Sequence, residues 1–357
     1  MPLLSDNLTQ AGNPPAILEL HGGGRLLVLP QYGRALALCT GDSDENFLWT
    51  NPALETAAAA TAYFRRGGWR NPGGDRTWLA PEIELFIGDL ARPGGSYAVP
   101  ATLDPGHWRS EAAAHGLRLR NESAVQLKRS GREVRFSIVK EYRPAANPLR
   151  DMNLDLSYAG YEQAVVLGLE TDQAGGAVPA RLGLWNLLQL PKSGRMIVPT
   201  YCLTEPCTVF GQVPPGDLTC DARAVVWRMA DAGGNAKISI KAAPLTGRAG
   251  YLCRSRGETG DWNLVVRNFA VNPSGDYVDA RWSNPADAGY AFQACAVNEG
   301  DETFNELEYH APAAETATGR NRVGDVSQLW AFRGAFATVA TAAELILGTQ
   351  LHADDWS

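Results

Sequence analysis

The chain has 357 residues, a formal net charge of −7, 45% hydrophobic and 20% charged residues. No run of ~18 apolar residues occurs, which excludes a membrane-spanning helix. The acidic balance removes the usual electrostatic basis for binding phosphate backbones, so neither a membrane nor a nucleic-acid partner is expected. Only five of the 32 basic residues are lysines (128, 140, 192, 237 and 241).

Along the chain, short apolar stretches alternate with dense turn signals. Strands are predicted at Ala16–Leu20, Arg25–Leu29, Ala35–Cys39, Leu117–Arg120, Ala124–Arg129, Glu133–Glu141, Gln163–Glu170, Ala224–Arg228, Lys237–Lys241, Asn263–Phe269 and Ala291–Val297. Gly22-Gly23-Gly24 reads as a hairpin turn between the first two. Within Glu133–Lys140, Val134, Phe136 and Ile138 share one face, the period-two pattern of a half-buried antiparallel strand. A helix is predicted near the end, where Val339, Ala342, Ala343, Leu345 and Ile346 share a face that stops at Gly348. The pattern suggests an all-β chain: a tail over residues 1–14, then one large antiparallel domain over residues 15–350. A division into two domains near residue 150 is the second choice.

Six cysteines form no C-x-x-C pair and no zinc or disulfide spacing. Together with an N-terminus that lacks a basic segment followed by an apolar one, this makes a cytoplasmic location the expectation. There is no G-x-x-x-x-G-K-[ST] loop, no G-x-S-x-G elbow and no H-E-x-x-H helix.

Three segments carry chemistry. Between Phe64 and Glu82, arginine, tryptophan and glycine are concentrated in what reads as loop and turn. There Arg76 can fork onto vicinal hydroxyls, and Trp69 or Trp78 can stack on the C–H face of a sugar. The structural alternative puts Trp78 in the core and pairs Arg76 with Glu82 or Glu84. In Arg181–Pro191, a strand would place Trp185, Leu187 and Gln189 on one face and Asn186 and Leu188 on the other. In Phe304–Pro312, the same alternation sets Glu306, Glu308 and His310 on one face, ~6.5–7 Å apart. Crowded, partly buried carboxylates there would have at least one pKa raised into the range of a general base. A carboxylate–histidine metal site is a further option, with calcium favoured over zinc by the oxygen-rich set; the expectation is no cofactor.

Taken together, these segments resemble the galactose mutarotase-like (aldose 1-epimerase-like) superfamily. They are most similar to a bacterial branch marked by Gly-Gly-x-Arg-x-Trp-x-Ala-Pro-Glu, which here is Gly73 to Glu82. The Trp185-x-Leu187-x-Gln189 strand before Pro191 and the Glu306-x-Glu308 strand before Pro312 match in order and spacing. The resemblance implies a large antiparallel β-supersandwich acting on a small sugar or glycoside. It also implies a C-terminal carboxylate, Glu306 or more readily Glu308, as base, and Arg76 as the ligand of sugar hydroxyls. Where such enzymes carry an acid histidine in the middle strand, this chain has Trp185-Asn186. His310 or His107 is then the candidate acid, with Trp78, Glu82, Trp69, Trp185 and Gln189 binding substrate. The favoured function is acid–base chemistry at or near an anomeric carbon. The alternatives are glycoside hydrolysis or lyase cleavage on the same fold, and a non-catalytic carbohydrate-binding domain.

Overall fold

The computed structural model describes residues 1–111, 113, 116–172, 178–229, 234–257 and 260–349. It is built from two ten-stranded sheets in which the paired strands run antiparallel. The first sheet runs, in spatial order, Ala16–Glu19, Arg25–Leu29, Arg34–Cys39, Asp75–Ala80, Arg181–Leu190, Glu302–His310, Phe292–Glu299, Ala236–Ile240 and Cys207–Phe210. The short strand Ala314–Glu315 pairs beside Arg181–Leu190. The second sheet runs Leu218–Cys220, Ala224–Met229, Gly194–Pro199, Arg248–Arg254, Trp262–Phe269, Arg322–Gly334, Ser157–Leu169, Glu133–Pro144, Leu117–Gln126 and Trp108–Glu111. Strands from early and late in the chain are neighbours in both sheets. Among the described residues no helix is long and apolar enough to cross a membrane.

Alternation decides what faces what. Between the sheets, Leu26, Leu38, Ile238, Ala294 and Leu307 of the first sheet meet Met196, Val198, Val265, Leu329 and Ala331 of the second, all buried. The inter-sheet layer also holds ions: Arg267 Nη2 lies 2.6 Å from Asp75 Oδ2, which also accepts the Tyr161 hydroxyl.

The two outer faces are covered differently. Phe336–Leu347 lies on the second sheet, where Val339, Ala342, Ala343, Ile346 and Leu347 pack against Ile197, Leu264 and Phe332. The helix and its glycine stop, Gly348 at φ 69°, agree with the sequence. Leu345 does not, being 46% exposed. Residues 2–10 form a helix rather than a tail, with Leu8 fully buried beside Ala60 and Tyr63 of the helix Ala57–Arg65. These two helices cover the strands Arg25–Leu29 and Arg34–Cys39 of the first sheet through Leu27, Leu29, Leu36, Ala37 and Cys39. The rest of that outer face, from Asp75–Ala80 to Ala236–Ile240, carries polar side chains.

Candidate active site

Strand pairing sets these side chains in rows across the sheet, because residues directly opposite one another share a face. One row runs Gln189, Glu306, Cys295, Lys237. The next runs Arg76, Leu187, Glu308, Gln293, Ser239. A third holds Trp78, Trp185 and His310. The three segments singled out in the sequence therefore converge, and Glu306, Glu308 and His310 share a face as their alternation predicts. Asn186 points the other way, accepting from Thr77 Oγ1 at 2.7 Å between the sheets.

The face is buried and ionic. Arg76 Nη2 donates to Glu306 Oε1 at 2.9 Å, and Gln189 Nε2 donates to the same oxygen at 3.1 Å. Glu308 Oε2 accepts from Trp185 Nε1 at 2.7 Å and lies 3.0 Å from Lys237 Nζ. Arg76 thus pairs with Glu306 rather than with Glu82 or Glu84. Glu84 sits apart, its Oε2 accepting from the backbone of Arg129.

A covering segment starts where Pro81 ends the strand. The short helix Glu82–Leu85 leads to Phe86, whose ring meets Trp78 at 5.0 Å, Trp185 at 5.8 Å and Tyr97 at 5.4 Å. Glu82 itself is 4% exposed. It accepts from the Tyr97 hydroxyl at 3.1 Å and from Trp282 Nε1 at 2.9 Å, and lies 3.9 Å from Lys237. Its backbone N–H donates to Asp279, whose other oxygen accepts from Gln293 Nε2 at 3.0 Å. Tyr97 and Trp282 are half-buried and form the outer part of the cluster.

Burial shapes the proton affinities. It raises Glu306 above the usual carboxylate range, with Arg76 opposing and Glu308 adding to the shift. Burial pushes Glu82 up to about 7 against the pull of Lys237, and Asp279 and Glu308 add to it. Asp279 is raised for the same reason. Burial also works against a charge on Lys237, but Glu308, Glu82 and Asp279 outweigh it and raise Lys237 above an ordinary lysine. His310 is pushed down to about 3, chiefly by burial, so its ring is neutral. Its Nε2 lies 3.0 Å from Gln293 Oε1.

Some sequence expectations need correcting. The rings of Trp78 and Trp185 are already covered: Arg76 lies 4.2 Å over Trp78, while His310 stacks on Trp185 at 5.6 Å and Lys237 lies 4.5 Å from its ring centre. Trp69, 37% exposed and edge-on to Trp78 at 6.0 Å, is the indole that remains open. His107 is not brought to this face; it is exposed, with Nδ1 3.2 Å from Ser123 Oγ at the edge of the second sheet. Gly73 and Gly74 serve backbone packing rather than ligand approach. A Cβ at Gly73 would sit 2.3 Å from Trp49 O, and one at Gly74 2.1 Å from Ala35 O.

Sequence reasoning did not find Lys237, Asp279, Gln293, Tyr97 or Trp282. A signal existed for the first, since Lys237 and Ser239 alternate with Ile238 and Ile240 on a predicted strand. Cys295, Glu306 and Glu308 present ligand atoms within 4.8 Å of one another. Arg76 and Lys237 already pair with the two carboxylates, and burial raises the Cys295 thiol well above its ordinary value. That donor set does not suit calcium, which takes six to eight oxygens.

No family model matches this sequence, and a search of curated proteins finds no match. Solved structures similar to it include a galactose mutarotase related enzyme from Lactobacillus acidophilus, 8% identical, with TM-score 0.47 and covering 88% of this chain and 96% of that one. A galactose mutarotase-like protein from Lactobacillus casei is 8% identical, with TM-score 0.45 and coverage of 89% and 100%. Galactose 1-epimerase from Lactobacillus acidophilus is 10% identical, with TM-score 0.42 and coverage of 90% and 94%.

Proposed function

We propose that this chain is a carbohydrate-active enzyme of the aldose 1-epimerase type, performing acid–base chemistry at the anomeric carbon of a neutral sugar. The observation that carries the reading is the pairing of two buried carboxylates with two different cations on one sheet face, beside hydrogen-bonding groups without partners. Arg76 Nε and Nη1, Gln189 Oε1 and His310 Nδ1 are buried and make no hydrogen bond. Donors and acceptors left unmet at that depth are costly unless a ligand meets them, and vicinal sugar hydroxyls supply both kinds of partner.

In this reading Arg76 and Gln189 hold sugar hydroxyls and Trp69 stacks at the rim. Glu308 removes the proton of the anomeric hydroxyl. Loss of that proton and gain of one at the ring oxygen opens the ring, and reclosure on the other face gives the other anomer. Lys237 and Trp185 Nε1 orient the Glu308 carboxylate.

The test is NMR observation of pure α-galactose and α-glucose relaxing to equilibrium. Wild type is expected to exceed buffer, and Glu308→Gln to lose about 10²–10⁴-fold in kcat. A wild type no faster than buffer rejects the reading for those sugars. Saturable sugar binding in its place would support a binding domain.

A further inference from the structure

The site lacks an evident proton donor for the ring oxygen, since His310 is neutral and His107 is elsewhere. Its charges point to one. Four buried carboxylates, Glu82, Asp279, Glu306 and Glu308, share the cluster with two cations. Glu306 pairs with Arg76 at 2.9 Å and Glu308 with Lys237 at 3.0 Å. Glu82 and Asp279 are left without a cation of their own, Lys237 being 3.9 Å from Glu82. Two such charges side by side in a buried site are costly, and a retained proton relieves the cost.

Hydrogen bonding decides which of the two holds it. The oxygens of Asp279 face the backbone N–H of Glu82 and Nε2 of Gln293, and both of these groups can only donate. Glu82 Oε1 faces the Tyr97 hydroxyl, which can accept as well as donate. A proton on Glu82 Oε1 therefore has a partner, whereas one on Asp279 would displace a hydrogen bond.

We propose that Glu82, facing Glu308 across the Lys237 ammonium, is the acid that protonates the ring oxygen. This rests on the function proposed above. The proton on Glu82 passes to the ring oxygen as Glu308 takes the anomeric hydroxyl proton. The bond from C1 to the ring oxygen breaks and the C1 carbonyl forms. On reclosure Glu82 takes back the proton from the former ring oxygen and Glu308 returns its proton to the C1 oxygen, so both carboxylates regain their starting states and the cycle is balanced without a cofactor. The elevation of Glu82 to about 7 fits a donor that is still protonated near neutrality. Lys237, Glu308, Asp279, Tyr97 and Cys295 are titratable groups around it.

The experiment compares full-length wild type, Glu82→Gln, Glu82→Asp and Glu84→Gln in the anomer-exchange assay from about pH 5 to 9. Glu82→Gln is expected to lose about 10²–10⁴-fold in kcat, with little change in KM. The wild-type fall in kcat/KM as pH rises through about 7 should disappear with it. Glu82→Asp should regain part of the rate and the pH limb, and Glu84→Gln should behave as wild type. A folded Glu82→Gln that keeps its rate overturns the assignment and leaves the function standing. A wild type without activity rejects the function and the assignment together. If Glu82→Gln does not fold, infrared titration of wild type and Glu82→Asp decides. A carboxylic-acid C=O band that is present below about pH 7, lost above it, and shifted in Glu82→Asp supports the assignment. A wild type without that band at about pH 6 overturns it.

Discussion

Arg76 and Glu306 lie 230 positions apart in the chain and meet at 2.9 Å on the outer face of the first sheet. The pair joins the glycine-rich motif to the late acidic strand, and its side chains are only 6% and 7% exposed.

Removing one partner of such a pair strands a buried charge. Arg76→Ala is expected to lower unfolding free energy by about 3–5 kcal/mol, and Arg76→Met combined with Glu306→Leu to recover most of that loss. Urea unfolding of the single and double variants measures the coupling. A double variant as unstable as the sum of its single changes would show that the ion pair is not what holds these strands' side chains together.

The imidazole of His310 makes stability depend on pH with a definite sign. Its folded pKa is lowered from 6.5 to about 3, so between those values the unfolded chain binds the extra proton. The contribution is fully present above pH 6.5 and lost as pH falls towards 3. Wild-type stability should therefore decline relative to His310→Gln on going from pH 7 to 4, with a slope of at most about 1.4 kcal/mol per pH unit. Equal slopes for both proteins would mean that the ring is not held neutral.

Gly74 has φ 82° and accepts a hydrogen bond from the Gln189 backbone at 2.9 Å through its carbonyl. Alanine there is expected to cost on the order of 2–4 kcal/mol, from strain and the clash with Ala35 O. Thermal unfolding reads the loss. Because Gly74 leads directly into Asp75 and Arg76, sugar binding should weaken with it. An unchanged Tm would place the motif's glycines outside the packing argument.

Much of this was readable because a strand's period is two. The partition of Glu306, Glu308 and His310 from Asn305, Leu307 and Tyr309 follows from alternation and matches the structure. The same rule sorted Trp185 and Gln189 from Asn186 and Leu188. What could not be read runs at right angles to the chain. Lys237 reaches Glu308 because Ala236–Ile240 pairs with Phe292–Glu299, and that strand pairs with Glu302–His310. No local pattern specifies those lateral neighbours. Asp279 and Trp282 lie on an irregular segment, where periodicity carries no signal. The N-terminal helix went unread because Leu3 is 67% exposed while Leu8 is fully buried, which leaves it a thin apolar stripe.

The strand Asp75–Ala80 is anchored on both sides: Asp75 is held by Arg267 between the sheets, and Arg76 is held by Glu306 on the outer face. A slip by one position sets Asp75 against Glu306 and Gly74 against Arg267 in one direction, or Arg76 against Arg267 and Thr77 against Glu306 in the other, so either slip loses both attractions and adds one repulsion. Most strands resist slippage through apolar side chains alone, which tolerate a degree of exchange. This one is keyed by charge of opposite sign on its two faces, so an insertion or deletion of a single residue within it would be rejected by both layers at once.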